Sequence, residues 1–178
     1  MNEFRSIDGT PTRYIGIGEY HVTDKPEKIV TVVGSCLAIC MYAKNTPMAG
    51  MLHAMLPHCN HHASTNYGGA HQANCVTFLF YMMLEKFKNA GLSNDDIEIK
   101  VFGGASTMGR NSGTVSVGKR NAEVFEIIIA REMMPVRARD LGGTQGRKVI
   151  LDAATGDAFV KMLSKGAREL AESKVVID

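Results

Sequence analysis

Apolar positions along the chain fall into three patterns: alternation, solid runs, and recurrence at three- and four-residue spacing. Residues 14–22 alternate around Ile15, Ile17 and Val22 and predict a first strand, loosened by Gly16 and Gly18. Residues 29–33 predict a short β-branched strand. Gly34 and Ser35 interrupt it, and residues 36–42 resume the pattern with Leu37, Ile39 and Met41. Asn45, Thr46 and Pro47 are a turn signal. Residues 48–56 then run apolar on both faces, Ala49, Met51 and Met55 on one and Leu52, Ala54 and Leu56 on the other. A strand of that kind is covered on both sides.

Beyond a polar, histidine-rich loop over residues 57–69, helical spacing takes over. Val76, Leu79, Phe80, Met83, Leu84 and Phe87 predict a long amphipathic helix over residues 70–89, stopped by Gly91. Residues 97–102 predict a strand ended by Gly103 and Gly104. A second helix is expected over residues 120–131, with Val124, Ile127 and Ile128 inward. Residues 134–139, 148–152 and 158–163 predict three more short strands, and residues 167–174 a last helical turn or two. No repeat or linker divides the chain. The expectation is one α/β domain over residues 1–178, with its core at about 14–163 and peripheral ends at 1–13 and 164–178.

Composition narrows the function classes. Twenty basic against eighteen acidic residues leave a formal charge of +2, and no basic run interleaves with aromatics, so nucleic acid is a poor partner. No stretch approaches the roughly 20 apolar residues of a membrane span, and the N-terminus lacks an apolar signal core. The expectation is a cytoplasmic protein that does not insert into a membrane. Its four cysteines, Cys36, Cys40, Cys59 and Cys75, are then expected to be thiols, and no CxxC pair offers a zinc ribbon or a redox motif.

Two positions carry candidate chemistry. His53 stands in a strand whose other residues are apolar, and a buried imidazole must place its N–H and its lone pair with partners. It is either a core histidine bonded to backbone carbonyls or a working base. The Gly34-Ser35-Cys36 break can lift Cys36 out of the strand ladder and aim its side chain and N–H at a ligand. The plain alternative is a silent buried thiol, the reading that suits Cys40. Pairing residues 36–42 with 48–56 outward from the turn at 45–47 brings His53 back beside the break. A Cys and a His so placed meet the requirement for a thiolate–imidazolium nucleophile. Such an imidazole needs a third group to fix its tautomer, and Thr31 offers a hydroxyl and a carbonyl.

These stretches, IVTVVGSCLAICMY followed by AGMLHAMLP, resemble the signature of the CheD family of chemoreceptor glutamine deamidases. IGIGEYHV, KVFGGAS, VGKRNAE and DLGGTQGRKVILDAATGD are similar to that family in the same order, so the resemblance covers about residues 15–160. It implies a three-layer α/β sandwich with mixed β-sheets and two main helices, akin to the deamidating domain of cytotoxic necrotizing factor toxins. It also implies a cysteine-dependent amidohydrolase acting on glutamines in the cytoplasmic helices of chemoreceptors, without a cofactor. By the same resemblance Cys36 is the nucleophile, His53 the general base and acid, and Thr31 the residue that orients it. The resemblance also implies a CheC-type phosphatase as a second partner. From the residues themselves, the developing oxyanion needs preorganised donors, and the Gly34 break should leave the Cys36 N–H free to be one, with Gly34 and Ser35 as support.

Three rival readings remain. Cys59, His61, His62, His71 and Cys75 depart from the family pattern, and His71 and Cys75 share a helix face, which a transition metal could use. The spacing fits no standard zinc motif, and the expectation is no metal. The glycine-rich stretches at 102–106 and 142–147 match neither phosphate-binding fingerprint and read as tight turns. Finally, as the third, the site and fold leave two other functions open: the same residues would serve a receptor methylesterase, and a non-catalytic binding module for a CheC-like phosphatase would need only the fold.

Overall fold

The computed structural model describes residues 4–5, 9–59, 74–106 and 116–163. Among these residues, ten strands, two α-helices and one 3-10 turn follow in the order β1 (Phe4–Arg5), β2 (Pro11–Tyr14), β3 (Tyr20–Thr23), β4 (Lys28–Val33), β5 (Leu37–Ala43), β6 (Ala49–Ala54), α1 (Val76–Asn89), the 3-10 turn Asn94–Asp96, β7 (Ile97–Gly103), α2 (Val117–Glu132), β8 (Val136–Leu141), β9 (Arg147–Asp152) and β10 (Ala158–Met162). The strands form two five-stranded sheets, ordered β1-β2-β4-β9-β10 and β3-β6-β5-β7-β8. Both are mixed: β2 runs parallel to β4 and β7 parallel to β8, and the other pairs are antiparallel.

Alternation along the central strands decides the layering. Leu37, Ile39 and Met41 of β5, Leu52 and Ala54 of β6, and Ile97, Ile99 and Val101 of β7 pack with Leu79, Phe80, Met83 and Phe87 of α1 and Phe125 and Ile128 of α2. The opposite faces of β5 and β6 carry Ala38, Cys40, Ala49 and Met51, which meet Ile29 and Val33 of β4 and Val149 and Leu151 of β9. The second sheet is therefore covered on both sides, which is why β5 and β6 read as nearly continuous apolar runs. The result is the expected three-layer α/β sandwich: sheet, sheet, helices.

Local differences from the sequence pattern have identifiable causes. Residues 14–22 do not form one strand. β2 and β3 lie in different sheets, and the chain crosses between them through the turn in which Glu19 N donates to Gly16 O (3.1 Å). Helix α1 begins at Val76 because residues 74–75 are extended beside the end of β6: Asn74 O accepts from Met55 N (2.8 Å) and Leu56 N (3.3 Å). Helix α2 begins at Val117, earlier than its apolar spacing implies, because the Ser116 side chain caps it by accepting from Lys119 N (3.3 Å). The predicted turns of helix at 167–174 and most of the histidine-rich loop lie outside the described residues.

The cysteines require a correction. Only Cys36 and Cys40 are free; Cys59 and Cys75 form a disulfide. A parallel bridge between Leu56 and Cys75 brings the chain back on itself and leaves the two Cα atoms 5.3 Å apart, within bridging range. Their separation of 16 residues gives no local signal of this. The bond also removes both sulfurs from any metal site, while His61, His62 and His71 lie outside the described residues. Because it closes a loop of that length, reduction or Cys59→Ser is expected to cost about 2–4 kcal/mol of stability. Urea unfolding with and without dithiothreitol measures this, and coincident midpoints would refute it.

Candidate active site

Thr31, His53 and Cys36 come from three adjacent stretches that meet between the two sheets. Antiparallel pairing sets Ala38 opposite His53 and Leu37 opposite Ala54. Side chains at 38 and 40 share one face of β5, and His53 stands on the matching face of β6 with Ala49 and Met51. That face looks toward β4, where Thr31 is buried at 3% exposure; His53 itself is 4% exposed. Cys36 lies just before β5 and is half-buried against the apolar cluster between the sheets.

A hydrogen-bond chain fixes the imidazole. The Thr31 hydroxyl donates to Ile15 O at 2.9 Å and lies 2.8 Å from His53 Nδ1. A hydroxyl has one proton to give, so with that proton on Ile15 O its oxygen accepts from Nδ1–H. His53 is then the Nδ1–H tautomer, and its Nε2 keeps a lone pair. Nε2 is buried and has no hydrogen-bond partner among the described residues. His53 is not the core histidine tied to backbone carbonyls through its ring; one nitrogen is held and the other is left available. Its backbone is also anchored, with His53 N donating to Glu19 O (2.9 Å) and Gly18 N donating to His53 O (2.9 Å).

Electrostatics set the resting protonation. Burial pushes His53 down to about 4, partly offset by the Glu19 carboxylate. Burial raises the Cys36 thiol, and its own backbone N–H works against that rise. Both shifts keep the proton on sulfur, so the thiolate–imidazolium pair expected from the sequence gives way to a neutral thiol beside a neutral imidazole. Desolvation of both charges is the reason. Cys40 is fully buried and pushed up to about 12, which makes it the silent thiol that the sequence indicates.

The His53 shift predicts a pH dependence of stability. The unfolded imidazole titrates near 6.5 and the folded one near 4. The unfolded chain thus binds the extra proton first as pH falls. Stability is full above pH 6.5 and falls as pH drops toward 4, by roughly 3 kcal/mol for this group. Urea unfolding across that window should show a slope that His53→Gln removes; equal slopes in both proteins would contradict the assignment.

The Gly34-Ser35-Cys36 turn is held by the neighbouring glycine-rich segment. Gly104 N donates to Cys36 O (2.9 Å) and Ala105 N donates to Gly34 O (2.8 Å). Gly103, at φ +115°, sits where a Cβ would lie 2.1 Å from Cys36 O, so only glycine allows this approach. The stretch at 142–147 packs on the same segment, Gly142 N donating to Gly103 O (2.8 Å) and Ser106 N to Gly143 O (2.9 Å). The first glycine-rich stretch closes β7 and runs on beside the cysteine, which it positions, and the second is a bend between β8 and β9. Two participants had no signal in the sequence: the Ile15 carbonyl, and Asn121 of α2, which reaches the turn from across the fold.

A cysteine, an imidazole with a free lone pair and a hydroxyl relay form a constellation suited to attack on an acyl carbon. Comparison with known proteins bears on the acyl group. The family described as CheD chemotactic sensory transduction matches residues 55–162, a span that begins just after His53. Relatives matched over 85–92% of this chain reach upstream of that span, across β4 to β6. The probable chemoreceptor glutamine deamidase CheD 2 of Geobacter sulfurreducens is 32% identical over 155 residues, 87% of this chain and 92% of that protein. Probable chemoreceptor glutamine deamidases CheD of Oleidesulfovibrio alaskensis (31% over 169 residues, 92% and 78% of the two chains) and Haloarcula marismortui (34% over 154 residues, 85% and 86%) align similarly. No helix among the described residues is long and apolar enough to cross a membrane. With the family description matched over more than half its length and relatives at 31–34% identity covered over 78–92% of their length, the chain belongs to the CheD family.

Proposed function

We propose that this protein is a protein-glutamine deamidase that converts glutamines in the cytoplasmic helices of chemoreceptors to glutamate, with Cys36 as nucleophile, His53 as general base and acid, and Thr31 as orienting residue. The observation that carries the reading is the His53 ring: Nδ1 held by Thr31 at 2.8 Å, Nε2 buried and unpartnered on the face of β6 that looks into the layer where Cys36 packs. Membership in a family whose curated relatives are named chemoreceptor glutamine deamidases supplies the substrate.

In this reading the Cys36 sulfur attacks the carboxamide carbon as its proton passes to His53 Nε2. The oxyanion that forms is met by the backbone N–H of Cys36, with Gly34 and Ser35 shaping the turn. His53 then returns the proton to nitrogen, the C–N bond breaks and ammonia leaves a thioester. Water, giving a proton to His53, attacks that thioester; the C–S bond breaks, glutamate is released, and the thiol is restored. No step calls for a cofactor. A neutral resting pair suits the task, because an imidazole already protonated could not take the thiol proton. A CheC-type phosphatase is the second partner in this reading, and the cytoplasm is the compartment where the substrate helices lie.

The test is intact-mass analysis of receptor cytoplasmic fragments incubated with the protein, with peptide mapping of the site. A gain matching exchange of amide for acid is expected. No gain across several receptors would favour the binding module, and release of methanol from methylated fragments without any amide change would favour the esterase.

A further inference from the structure

Asn121 lies on the buried side of α2 with no exposed surface. Its Nδ2 donates to Ser35 O (2.9 Å) and to Met55 O (2.9 Å), so one amide joins the nucleophile turn to the end of the His53 strand. The opposite amide orientation would set Oδ1 against two carbonyl oxygens, so the donors must face them. Helix α2 comes close enough for this contact because residue 118 is glycine. A Cβ there would lie 2.5 Å from Gly104 O and 2.6 Å from Ala105 O.

With Asn121 included, every carbonyl of the Gly34-Ser35-Cys36 turn is tied down: Gly34 O by Ala105 N, Ser35 O by Asn121, Cys36 O by Gly104 N. In a trans peptide the C=O and the following N–H point in opposite directions. Holding Gly34 O therefore turns the Ser35 N–H the other way, and holding Ser35 O does the same for the Cys36 N–H. Among the described residues the Ser35 N–H donates to nothing, and the Cys36 N–H faces only its own sulfur. Two adjacent N–H groups at the Cys36 turn, each fixed through the carbonyl behind it, are thus left among these residues without a protein acceptor other than the sulfur, as donors to an anion would be.

We propose that the Ser35 and Cys36 N–H groups together form the oxyanion site for acyl transfer to Cys36, and that Asn121 is the positioning residue that aims them. For its natural substrate this rests on the deamidase reading. Asn121 touches neither substrate nor sulfur; it acts through the Ser35 peptide, and it is the one side chain among the three donors that hold the turn.

Asn121→Leu, which keeps most of the volume and removes both donors, is assayed three ways. These are deamidation of a receptor fragment, acylation of Cys36 by the γ-p-nitrophenyl ester of a blocked glutamate, and alkylation of Cys36 by iodoacetamide. The first two pass through an oxyanion; alkylation does not. Deamidation and ester acylation are expected to fall together by about 10²-fold, with alkylation and its pH profile little changed. N121S carries the same expectation should N121L not fold. Ester acylation at the native rate, or acylation and alkylation falling in step, would overturn the proposal. A native protein that deamidates no receptor, while the ester and alkylation rates still separate on substitution, would remove the deamidase reading and leave the assignment of Asn121 standing.

Discussion

Replacing Cys36 with alanine is expected to remove deamidation, by on the order of 10⁶ in kcat if the cysteine and histidine act as a unit. The protein should remain folded. Cys36 is half-buried, just outside the ladder of β5, and the turn that carries it is held through backbone carbonyls that the substitution leaves in place. Intact mass of the receptor fragment after incubation with the variant reads the loss, and urea unfolding reads the fold. Cys40→Ala is the contrast. Its thiol is buried and pushed up to about 12, so its loss should cost packing stability and leave turnover alone. Iodoacetamide should label Cys36 ahead of Cys40, with Cys59 and Cys75 protected while they are bonded to each other. Undiminished deamidation by Cys36→Ala would move the nucleophile elsewhere and end the present assignment.

Thr31→Val is expected to lower kcat by about 10²- to 10⁴-fold with little change in KM, because a catalytic histidine in the wrong tautomer loses up to the larger of these factors. Valine nearly preserves the shape of threonine and removes the hydroxyl. Ile15 O then loses its donor and His53 Nδ1–H its acceptor, so the ring can shift its proton to Nε2, where it blocks acceptance from Cys36. Leaving these buried groups unpartnered also costs about 1–3 kcal/mol each, which urea unfolding measures separately from the rate. Thr31→Ser keeps the oxygen and its proton and should restore most of the rate. If valine and serine gave equal turnover, the hydroxyl relay would have no part in the reaction.

Much of this site was legible along the chain because its first two members are neighbours in a hairpin. A turn signal at 45–47 with alternation on either side brings residues 36–42 back beside 48–56, but counting outward from those three residues sets Ile39 opposite His53. The observed Ala38–His53 pair is one residue off, because the loop closes between Ala43 and Met48 and takes in Lys44 as well. Strands β4 to β7 and helix α1 were readable for the same reason: periodicity reports which face of an element is covered. In α2, Val124 and Ile128 are buried as expected, but Ile127, expected inward, is exposed at 67% and the covered face turns through Phe125 and Ile129 instead. The double-sided apolar pattern of β6 even announced that its sheet would be enclosed between two layers.

Periodicity says nothing about which distant segment does the covering. The alternation of residues 14–22 concealed a crossing from one sheet to the other, and that crossing is what brings Ile15 O to Thr31. Asn121 and Ser35 are 86 positions apart, and nothing in the composition of either stretch links them. Cys59 and Cys75 become bonding partners only when the chain returns beside Leu56. Protonation belongs to the same class. Desolvation depends on what surrounds a group in three dimensions, and the neutral state of Cys36 and His53 emerges only when the two sheets close over them. Residue types, element order and the existence of the hairpin were local properties that the amino acids carry in their spacing. The tautomer of His53, the charge state of the pair and the aim of the nucleophile turn depend on contacts between segments far apart in the chain, and those exist only in the folded molecule.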